Sequence, residues 1–239
     1  MSQLNISYNF KSQNYDNRRE NVAFIILHYT ETKTLKNAIK LLTDEFRKVS
    51  CHYVVDKNGD IYSLVPDDFR AWHAGTSGWE SLEDINSRSI GIEIVYEGES
   101  KKQFPKVQIL SLIQLIRELM SKYKIQRNNV LGHSDVAPLR KQDPGKYFPW
   151  ETLDKNNIGL WVKGKDNFLS TDLNSQQYRK LLGNLKKIGY PNITDFKQKN
   201  ENQIVIEAFH RHFSPHLIGQ FPKISSLQKS IDLLKIKTT

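Results

Sequence analysis

The sequence predicts an α/β fold in which a mixed central sheet is flanked by helices and followed by a small all-α domain of three helices. Three observations predict it. Apolar runs of strand length, of which residues 21–28 are the first, alternate with helical patterns as far as residue 131. A Lys-Asn-Gly turn at 57–59 separates two strand patterns, so part of the sheet should be antiparallel. After Trp150 only helical patterns remain.

The composition is that of a globular protein rather than a membrane or disulfide-rich one. Of the 239 residues 38% are hydrophobic and 26% charged, and no apolar run is long enough to cross a bilayer. The single cysteine, Cys51, excludes an internal disulfide and a multi-cysteine metal site. Any metal must therefore be bound by His, Asp or Glu.

The net charge of +9 is unevenly distributed along the chain. Residues 151–239 contain 14 Lys and Arg against 8 Asp and Glu, so the smaller part carries most of the surplus. This pattern suits a polyanionic partner such as nucleic acid, a membrane surface or an acidic cell-wall polymer. Lysine-rich faces exposed to water, with no partner, would explain it equally well.

The first half of the chain supplies most of the predicted sheet. Residues 1–20 have no periodicity and are expected to lie as an arm on the main domain, and residues 21–28 form a central strand. Residues 52–56 and 60–65 form the hairpin. Between strand and hairpin, Thr34 caps a helix whose apolar positions are Leu35, Ile39, Leu42 and Phe46.

The second half of the chain divides into more sheet and then helices. A strand over 90–96, a helix from 105 to 123 and a brief strand at 130–131 complete the first domain. Residues 152–171 have no strong periodicity. Helical patterns follow at 175–188, 201–213 and 226–236. We therefore expect a first domain over 1–155, a linker over 156–174 and a helical module over 175–239.

Chemically active side chains are concentrated in the loop 131–145. An imidazole, two carboxylates and two adjacent cations lie there, at His133, Asp135, Asp143 and the pair Arg140 and Lys141. A connection between two elements needs polar residues, but it does not need this combination, and functional residues are often on loops. The loop is therefore the candidate site of chemistry.

His28, His133 and Asp143 are the candidate ligands of a metal ion. Each follows or ends a predicted strand, so the three side chains can converge at one edge of the sheet. Two imidazoles and one carboxylate bind zinc (Zn²⁺) with one coordination position left for water. Zinc in such a site lowers the pKa of water to about 7 and polarises a carbonyl, which predicts hydrolase chemistry.

Two further residues fit catalytic roles. Glu93 is flanked by Gly91 and Val95 on one face of its strand, where desolvation favours a general acid or base; a glutamate at a sheet edge facing water is the alternative. Lys141 could stabilise the oxyanion, with Arg140 as a competitor. Asp135 more readily braces the loop or His133.

The loop 70–79 is a candidate wall of a substrate groove. It carries Trp72, His73 and Trp79 among small residues, which suits a groove for a sugar or a peptide. A loop merely pinned by its aromatic side chains would show the same composition.

Five segments of the first domain together form a recognisable pattern. They are Ile-Leu-His-Tyr-Thr at 26–30, Ser-Cys-His-Tyr-Val-Val at 50–55, Trp-His-Ala-Gly at 72–75, Ser-Ile-Gly-Ile-Glu at 89–93 and the loop 132–145. These segments resemble the zinc-dependent N-acetylmuramoyl-L-alanine amidases of the type 2 amidase, or peptidoglycan-recognition-protein, fold. The resemblance implies zinc ligands at His28, His133 and Asp143, a catalytic glutamate at Glu93 and a catalytic lysine at Lys141. It also implies hydrolysis of the amide between the lactyl group of N-acetylmuramic acid and L-alanine of the stem peptide.

The C-terminal part is similar to a three-helix peptidoglycan-binding module. The similarity lies in residues 182–190 and 206–213, and it implies that the basic surplus contacts the carboxylate-bearing polymer. His210, His212 and His216 are expected at the surface or in packing, not in a second metal site.

Other functions remain open at this stage. A muropeptide-recognition protein without activity is the main alternative, although the complete ligand set argues against it. A zinc nuclease would explain the positive charge, but the sequence has no aromatic platform or groove-reading helix for nucleic acid. We expect peptidoglycan or muropeptides as partner and no nucleic acid. The sequence decides neither the oligomeric state nor a preference between sacculus and 1,6-anhydro fragments.

The expected location depends on two features that point in different directions. The first 21 residues lack the basic start and apolar stretch of a secretory signal, which favours the cytoplasm if the chain is complete. The appended module favours the cell envelope, with a signal removed from the sequence. We expect the envelope.

Overall fold

A computed structural model describes residues 4–98, 103–163, 171–195 and 199–237. Its strands are β1 (Ile6–Ser7), β2 (Tyr15–Asn17), β3 (Phe24–Tyr29), β4 (Tyr53–Val55), β5 (Ile61–Ser63), β6 (Phe69–Ala71), β7 (Gly78–Trp79), β8 (Leu82–Glu83), β9 (Ser89–Ile94) and β10 (Val130–Gly132). Its α-helices are α1 (Leu35–Leu42), α2 (Ile85–Arg88), α3 (Lys106–Tyr123), α4 (His133–Val136), α5 (Trp150–Asp154), α6 (Ser175–Ile188), α7 (Lys199–Phe213) and α8 (Ile224–Lys237).

A six-stranded mixed sheet forms the centre of the molecule, which confirms the predicted fold class. Its strand order is β1-β5-β4-β9-β3-β10; β4 and β5 form the predicted antiparallel hairpin, and the other pairs are parallel. Strand β9 lies between β4 and β3. Glu93 is therefore not on an edge strand, and the alternative of a glutamate facing water at a sheet edge is excluded.

The apolar residues of β3 alternate between two cores, one on each face of the sheet. Ile25 and Leu27 pack with α3 and α5, whereas Phe24 and Ile26 pack with the C-terminal helices. Side chains of a strand point alternately to opposite faces, so His28 lies on the same face as Phe24 and Ile26. That face is also covered by α1, which packs on β4. His28 therefore lies on the face of the sheet that α1 and the C-terminal helices cover.

Helix α1 begins where the sequence predicts and ends earlier. Thr34 accepts a hydrogen bond from the backbone N–H of Asn37, as expected of an N-cap. The helix ends at Leu42, whose carbonyl accepts the hydroxyl of the buried Ser12. Phe46 was expected on the apolar stripe of this helix, and that expectation was wrong: its side chain is 97% exposed, in the turn that follows.

The N-terminal arm contributes strands to the fold. Strand β1 extends the central sheet beside β5, and β2 pairs with β6. Between them the buried Asn14 donates to the carbonyls of Asp44 and Val49, which fixes the turn after α1. The arm therefore lies on the main domain as expected, and in addition it supplies backbone partners.

Three helices, α6 to α8, follow the sheet, close to the predicted positions. Helix α5 extends to Asp154, the third residue of the stretch 152–171 in which the sequence shows no strong periodicity; residues 164–170 of that stretch lie outside the described residues. Leu181 of α6 and Phe209 of α7 belong to the same buried cluster as Leu131 of the sheet. In the described part of the chain, no helix is long and apolar enough to cross a membrane.

Candidate metal centre

The structure brings His28, His133 and Asp143 together, although they are far apart in sequence. The Nδ1 atoms of the two histidines are 2.9 Å apart, and Asp143 Oδ2 lies 2.9 Å from Nδ1 of His28 and 3.0 Å from Nδ1 of His133. Both histidines are buried, and Asp143 is nearly so. Among the described residues these three form the group suited to holding a metal ion.

Parallel pairing of strands places the two histidines side by side. Leu27 of β3 pairs with Gly132 of β10, so that His28 and His133, the next residues, lie at adjacent positions. Asp143 returns to them because the backbone N–H of Ser134 donates to its carbonyl at 2.8 Å. The loop that the sequence identifies is thus closed by a backbone hydrogen bond next to the first residue of α4.

The hydrogen bonds of the outer ring nitrogens determine which nitrogens can bind a cation. His133 Nε2 faces the carbonyl oxygen of Ala74 at 3.1 Å, so it must carry the proton and donate. His28 Nε2 lies 3.1 Å from Nδ1 of His73, whose own Nε2 can donate to Ser89 Oγ at 3.3 Å. This assignment leaves Nδ1 of both His28 and His133 unprotonated in the neutral rings, which is the form that ligates a metal.

The geometry of the three inner atoms fits a zinc ion. Tetrahedral ligands 2.0–2.1 Å from zinc are roughly 3.3 Å apart, and the three observed separations are a few tenths of an ångström shorter. Hydrogen bonds alone do not explain the group, since two unprotonated Nδ1 atoms facing each other repel. A cation between them would remove that repulsion, and the set of two nitrogens and one carboxylate oxygen is one that zinc accepts.

The ionisation of the inner groups also suits a cation. Burial, together with the neighbouring His133, lowers the pKa of His28 to about 4. Burial alone would raise the pKa of Asp143, but the adjacent His133 and His28 hold it well below its ordinary value. At neutral pH His28 is neutral and Asp143 is ionised, as metal binding requires.

Glu93 lies beside this centre on the neighbouring strand. It pairs with His28 across β9 and β3, and its side chain points to the same face of the sheet. It is 9% exposed, and within the described residues nothing donates to its Oε2. Burial raises its pKa to about 8, and the charge of Asp143 acts in the same direction. A carboxyl group that titrates near neutral pH can both accept and donate a proton.

Lys141 and Arg140 differ in what they are free to do. Lys141 lines the same cavity of about 570 Å³ as Glu93 and the three candidate ligands. Arg140 borders it too, but its guanidinium donates to the carbonyls of Ala74 and Thr76. Arg140 is therefore engaged in holding the loop 74–76, and Lys141 is the better placed of the two cations to meet a developing negative charge.

His73 and Trp72 occupy different places. His73 borders the cavity and is hydrogen bonded to His28, whereas Trp72 is partly buried and does not line this cavity. The close packing of His73 depends on Gly91, because a Cβ atom there would lie 2.4 Å from Cγ of His73. A lone glycine in a strand of isoleucines was the sequence signal for this contact.

Asp135 braces the loop rather than either ligand. Its Oδ2 accepts from the backbone N–H of Gly132 and faces Nδ1 of His212, and its Oδ1 accepts from the hydroxyl of Tyr190. Sequence reasoning placed His212 in packing and did not foresee its partner. No sequence signal connects positions 135, 190 and 212, because the contact joins three separate segments.

Comparison with protein families gives one match that covers more than half of the chain. Residues 18–146 match the family model described as N-acetylmuramoyl-L-alanine amidase. The matched range includes all three candidate ligands, Glu93 and Lys141.

Known proteins similar to this chain have the same description. The chain is 33% identical to the N-acetylmuramoyl-L-alanine amidase AmiD of Escherichia coli over 219 residues, which are 82% of this chain and 76% of that one. It is 42% identical to the 1,6-anhydro-N-acetylmuramyl-L-alanine amidase AmpD of Haemophilus influenzae over 44% of this chain and 56% of that one.

Solved structures similar to this one include the C-terminal helices. The complex of Escherichia coli AmiD with the substrate anhydro-N-acetylmuramic acid-L-Ala-D-γ-Glu-L-Lys superposes with a TM-score of 0.79 and 30% identity, and the match covers 95% of this chain and 93% of that one. The complex of AmpDh3 from Pseudomonas aeruginosa with anhydromuramic pentapeptide gives a TM-score of 0.76 and 28% identity, over 98% of this chain and 99% of that one.

Proposed function

Because the chain belongs to the N-acetylmuramoyl-L-alanine amidase family, we propose that it is a zinc-dependent enzyme of that activity. It hydrolyses the amide between the lactyl group of N-acetylmuramic acid and L-alanine of the peptidoglycan stem peptide. The observation that carries this proposal is the convergence of His28, His133 and Asp143, within about 3 Å of one another, beside Glu93 and in one cavity with it.

Each site residue has a distinct role in the proposed reaction. His28, His133 and Asp143 hold the zinc ion, which when bound supplies a Lewis acid for the amide carbonyl and lowers the pKa of water. Glu93, buried beside the three candidate ligands, accepts a proton from the attacking water and delivers it to the leaving amine. Lys141 stabilises the negative charge that develops on the carbonyl oxygen.

The proposed substrate is a muropeptide or peptidoglycan itself. Support comes from the two solved relatives, whose ligands are an anhydromuramoyl tripeptide and an anhydromuramic pentapeptide. The cavity supports it as well, because it is open and polar and contains both cations and carboxylates, as suits a substrate with amide and carboxylate groups.

The test is release of the free stem peptide from a defined muramoyl peptide. We expect release by the zinc-loaded protein, loss of release after treatment with a chelator, and recovery on adding zinc. Glu93→Gln should abolish release, whereas Glu118→Gln, an exposed change on α3, should leave it intact. Release that persists in Glu93→Gln or in metal-free protein would refute the proposed roles.

A muropeptide-recognition protein without activity is the alternative that the same experiment decides. It predicts that the zinc-loaded protein binds the muramoyl peptide and releases no stem peptide. Equilibrium binding measured beside the cleavage assay separates the two functions.

We also propose that residues 175–239 bind the peptidoglycan polymer and that the enzyme acts at the cell envelope. The basic surplus of this part supports the proposal, since exposed cations such as Lys186 and Lys187 suit an acidic polymer. Sedimentation with insoluble sacculi should weaken in Lys186→Gln/Lys187→Gln. The same charge change on α1, Lys36→Gln/Lys40→Gln, should have little effect. Cell fractionation tests the location; recovery of the protein from the cytoplasm alone would refute it.

A further inference from the structure

Asp135 joins the metal-binding loop to the C-terminal helices through a buried hydrogen-bond network. Its side chain is fully buried, two residues after His133 in α4. Oδ2 lies 2.8 Å from the backbone nitrogen of Gly132 and 2.8 Å from Nδ1 of His212, and Oδ1 lies 2.7 Å from the hydroxyl of Tyr190. Two of its three donors therefore come from the C-terminal part of the chain.

Ring stacking and hydrogen bonding hold His212 with its Nδ1 directed at Asp135. Its ring stacks on Trp150, with centroids 3.8 Å apart and an interplanar angle of 16°. The other ring nitrogen, Nε2, faces the carbonyl oxygen of Leu160 at 3.2 Å. The His212 side chain is buried. If it left this position, the buried carboxylate of Asp135 would lose one hydrogen-bond donor, which is unfavourable.

Tyr190 is a second fixed donor to the same carboxylate. Its side chain is buried between Trp79 and Phe209, whose rings contact it edge-on. Burial and the charge of Asp135 raise the pKa of Tyr190 well above its ordinary value, so the phenol keeps its proton. Each carboxylate oxygen of Asp135 therefore accepts a hydrogen bond from a residue outside the loop 131–145.

Contacts that fix the position of α4 also fix His133 and Asp143, the candidate ligands at the two ends of the loop. Helix α4 has only four residues, and it begins with His133. The backbone N–H of Ser134 donates to the carbonyl of Asp143, so a shift of α4 would move His133 and Asp143 together. The same turn packs closely on Pro144, since a Cβ atom at Gly132 would lie 2.7 Å from Cδ of Pro144.

We propose that His212 and Tyr190 are positioning residues of the amidase site, which act through Asp135 to hold the segment that carries His133 and Asp143. Neither residue lines the cavity that the candidate metal ligands border. The C-terminal helices thereby acquire a role in the active site that is separate from any binding of polymer. The consequence for zinc affinity rests on the proposed zinc site.

The competing explanation is that these contacts only dock the helices on the sheet. His210 provides a matched control, because it is also buried on α7 and its Nε2 pairs with Ser226 Oγ at 2.8 Å, away from Asp135. His210→Phe should weaken the packing of α7 against α8 without disturbing the loop.

Three variants separate the parts of the network. His212→Phe keeps an aromatic ring against Trp150 and removes both ring nitrogens. His212→Asn loses the stacking but retains a donor close to the position of Nδ1. Tyr190→Phe removes a single hydroxyl group.

The measurements are made on the full chain in two states. Backbone amide exchange of residues 132–145 is compared in metal-free protein, and zinc affinity is measured by competition with a chelator. The visible spectrum of cobalt-loaded protein reports the ligand geometry. We expect faster exchange, zinc affinity weakened on the order of 10-fold and an altered spectrum in His212→Phe and Tyr190→Phe, with partial rescue in His212→Asn.

The outcomes distinguish this inference from the proposed function. His210→Phe should lower the melting temperature and leave exchange of 132–145, zinc affinity and spectrum unchanged. Equal changes in His210→Phe and His212→Phe, or no change in either, would overturn the inference. If the wild type takes up no zinc, the proposed function fails, and amide exchange of 132–145 by itself upholds or overturns the positioning role.

Discussion

At the scale of single residues, the proposed ligand set depends on neighbours that orient the imidazoles. Ala74 accepts from Nε2 of His133, and His73 accepts from Nε2 of His28, so that both Nδ1 lone pairs point inward at Asp143. The ionised carboxylate supplies the only negative charge among the three proposed ligands. Removal of this charge should therefore lower the metal affinity directly.

Asp143→Asn is expected to weaken zinc binding by more than about 100-fold. This effect is larger than that of removing a residue that only hydrogen-bonds to a metal ligand. The amide keeps the size of the side chain but loses the charge. Chelator competition measures the effect, and the exposed Asp68→Asn is the control. Near-wild-type affinity in Asp143→Asn would remove this residue from the ligand set.

Glu93 should make the stability of the metal-free protein depend on pH. Its pKa is raised from 4.5 to about 8 by burial, so between these values the unfolded chain ionises while the folded protein keeps the proton. The stabilising effect of the proton is complete below pH 4.5 and is lost as the pH rises through 8. Glu93→Gln cannot ionise and escapes this loss.

We therefore expect the free energy of unfolding of metal-free Glu93→Gln to exceed that of the wild type by about 1–3 kcal/mol at pH 8–9, and by nearly nothing at pH 4.5. Converting the full pKa shift at about 1.36 kcal/mol per unit would give a larger difference in the free energy of unfolding. We expect the smaller value because the carboxyl group faces an open cavity. Denaturant unfolding across this pH range measures it, with Glu118→Gln as control. A pH-independent difference would contradict the assignment.

At the scale of elements, strand β9 combines a buried core with a site on one face. Its isoleucines fill the core below the sheet, while Gly91 and Glu93 lie above it on the side of His28. Gly91 is required because His73 occupies the space where a side chain would lie. Gly183, in the interior of α6, has nothing within 4 Å of the corresponding position.

These two glycines should respond oppositely to alanine. Gly91→Ala is expected to lower the free energy of unfolding by about 1–3 kcal/mol through overpacking, and to weaken zinc binding by displacing His73 from His28. Gly183→Ala should raise the free energy of unfolding by about 0.5–1 kcal/mol, since alanine favours a helix interior. Denaturant unfolding and chelator competition measure both. Equal effects of the two changes would refute the packing argument.

At the scale of the whole molecule, one apolar core crosses from the sheet to the C-terminal helices. Phe24 and Leu131 of the sheet share a buried cluster with Leu181 of α6 and Phe209 of α7. A shared core of this kind couples the unfolding of its parts. The described helices and the sheet should therefore unfold together.

Thermal and denaturant unfolding are expected to be single transitions that coincide when followed by tryptophan fluorescence and by far-ultraviolet circular dichroism. Phe209→Ala, at a fully buried position, should cost about 3–5 kcal/mol and shift both probes equally. Phe46→Ala, at a 97% exposed position, should change the free energy of unfolding by less than about 0.5 kcal/mol. Separate transitions for the two probes would show that the helices unfold independently.

The sequence by itself determined the fold class, the order of the longer strands and helices, and the residues proposed as ligands. Period-two and helical patterns of apolar residues indicate which side chains are buried, and such patterns can be read from short stretches of the chain. The candidate ligands were recognisable because imidazoles and a carboxylate at strand ends are few, and because the surrounding segments resemble a known family.

Only the tertiary structure decided how those residues are supported. The carbonyl of Leu42, at the end of α1, accepts the hydroxyl of Ser12, thirty positions away, and Phe46 lies exposed in the turn beyond the helix. The partners of Asp135 come from α7 and from the turn after α6. A buried hydrogen bond between distant segments leaves no periodic trace in the sequence, because its energy depends on where the packed helices place the donor and not on the residues next to it.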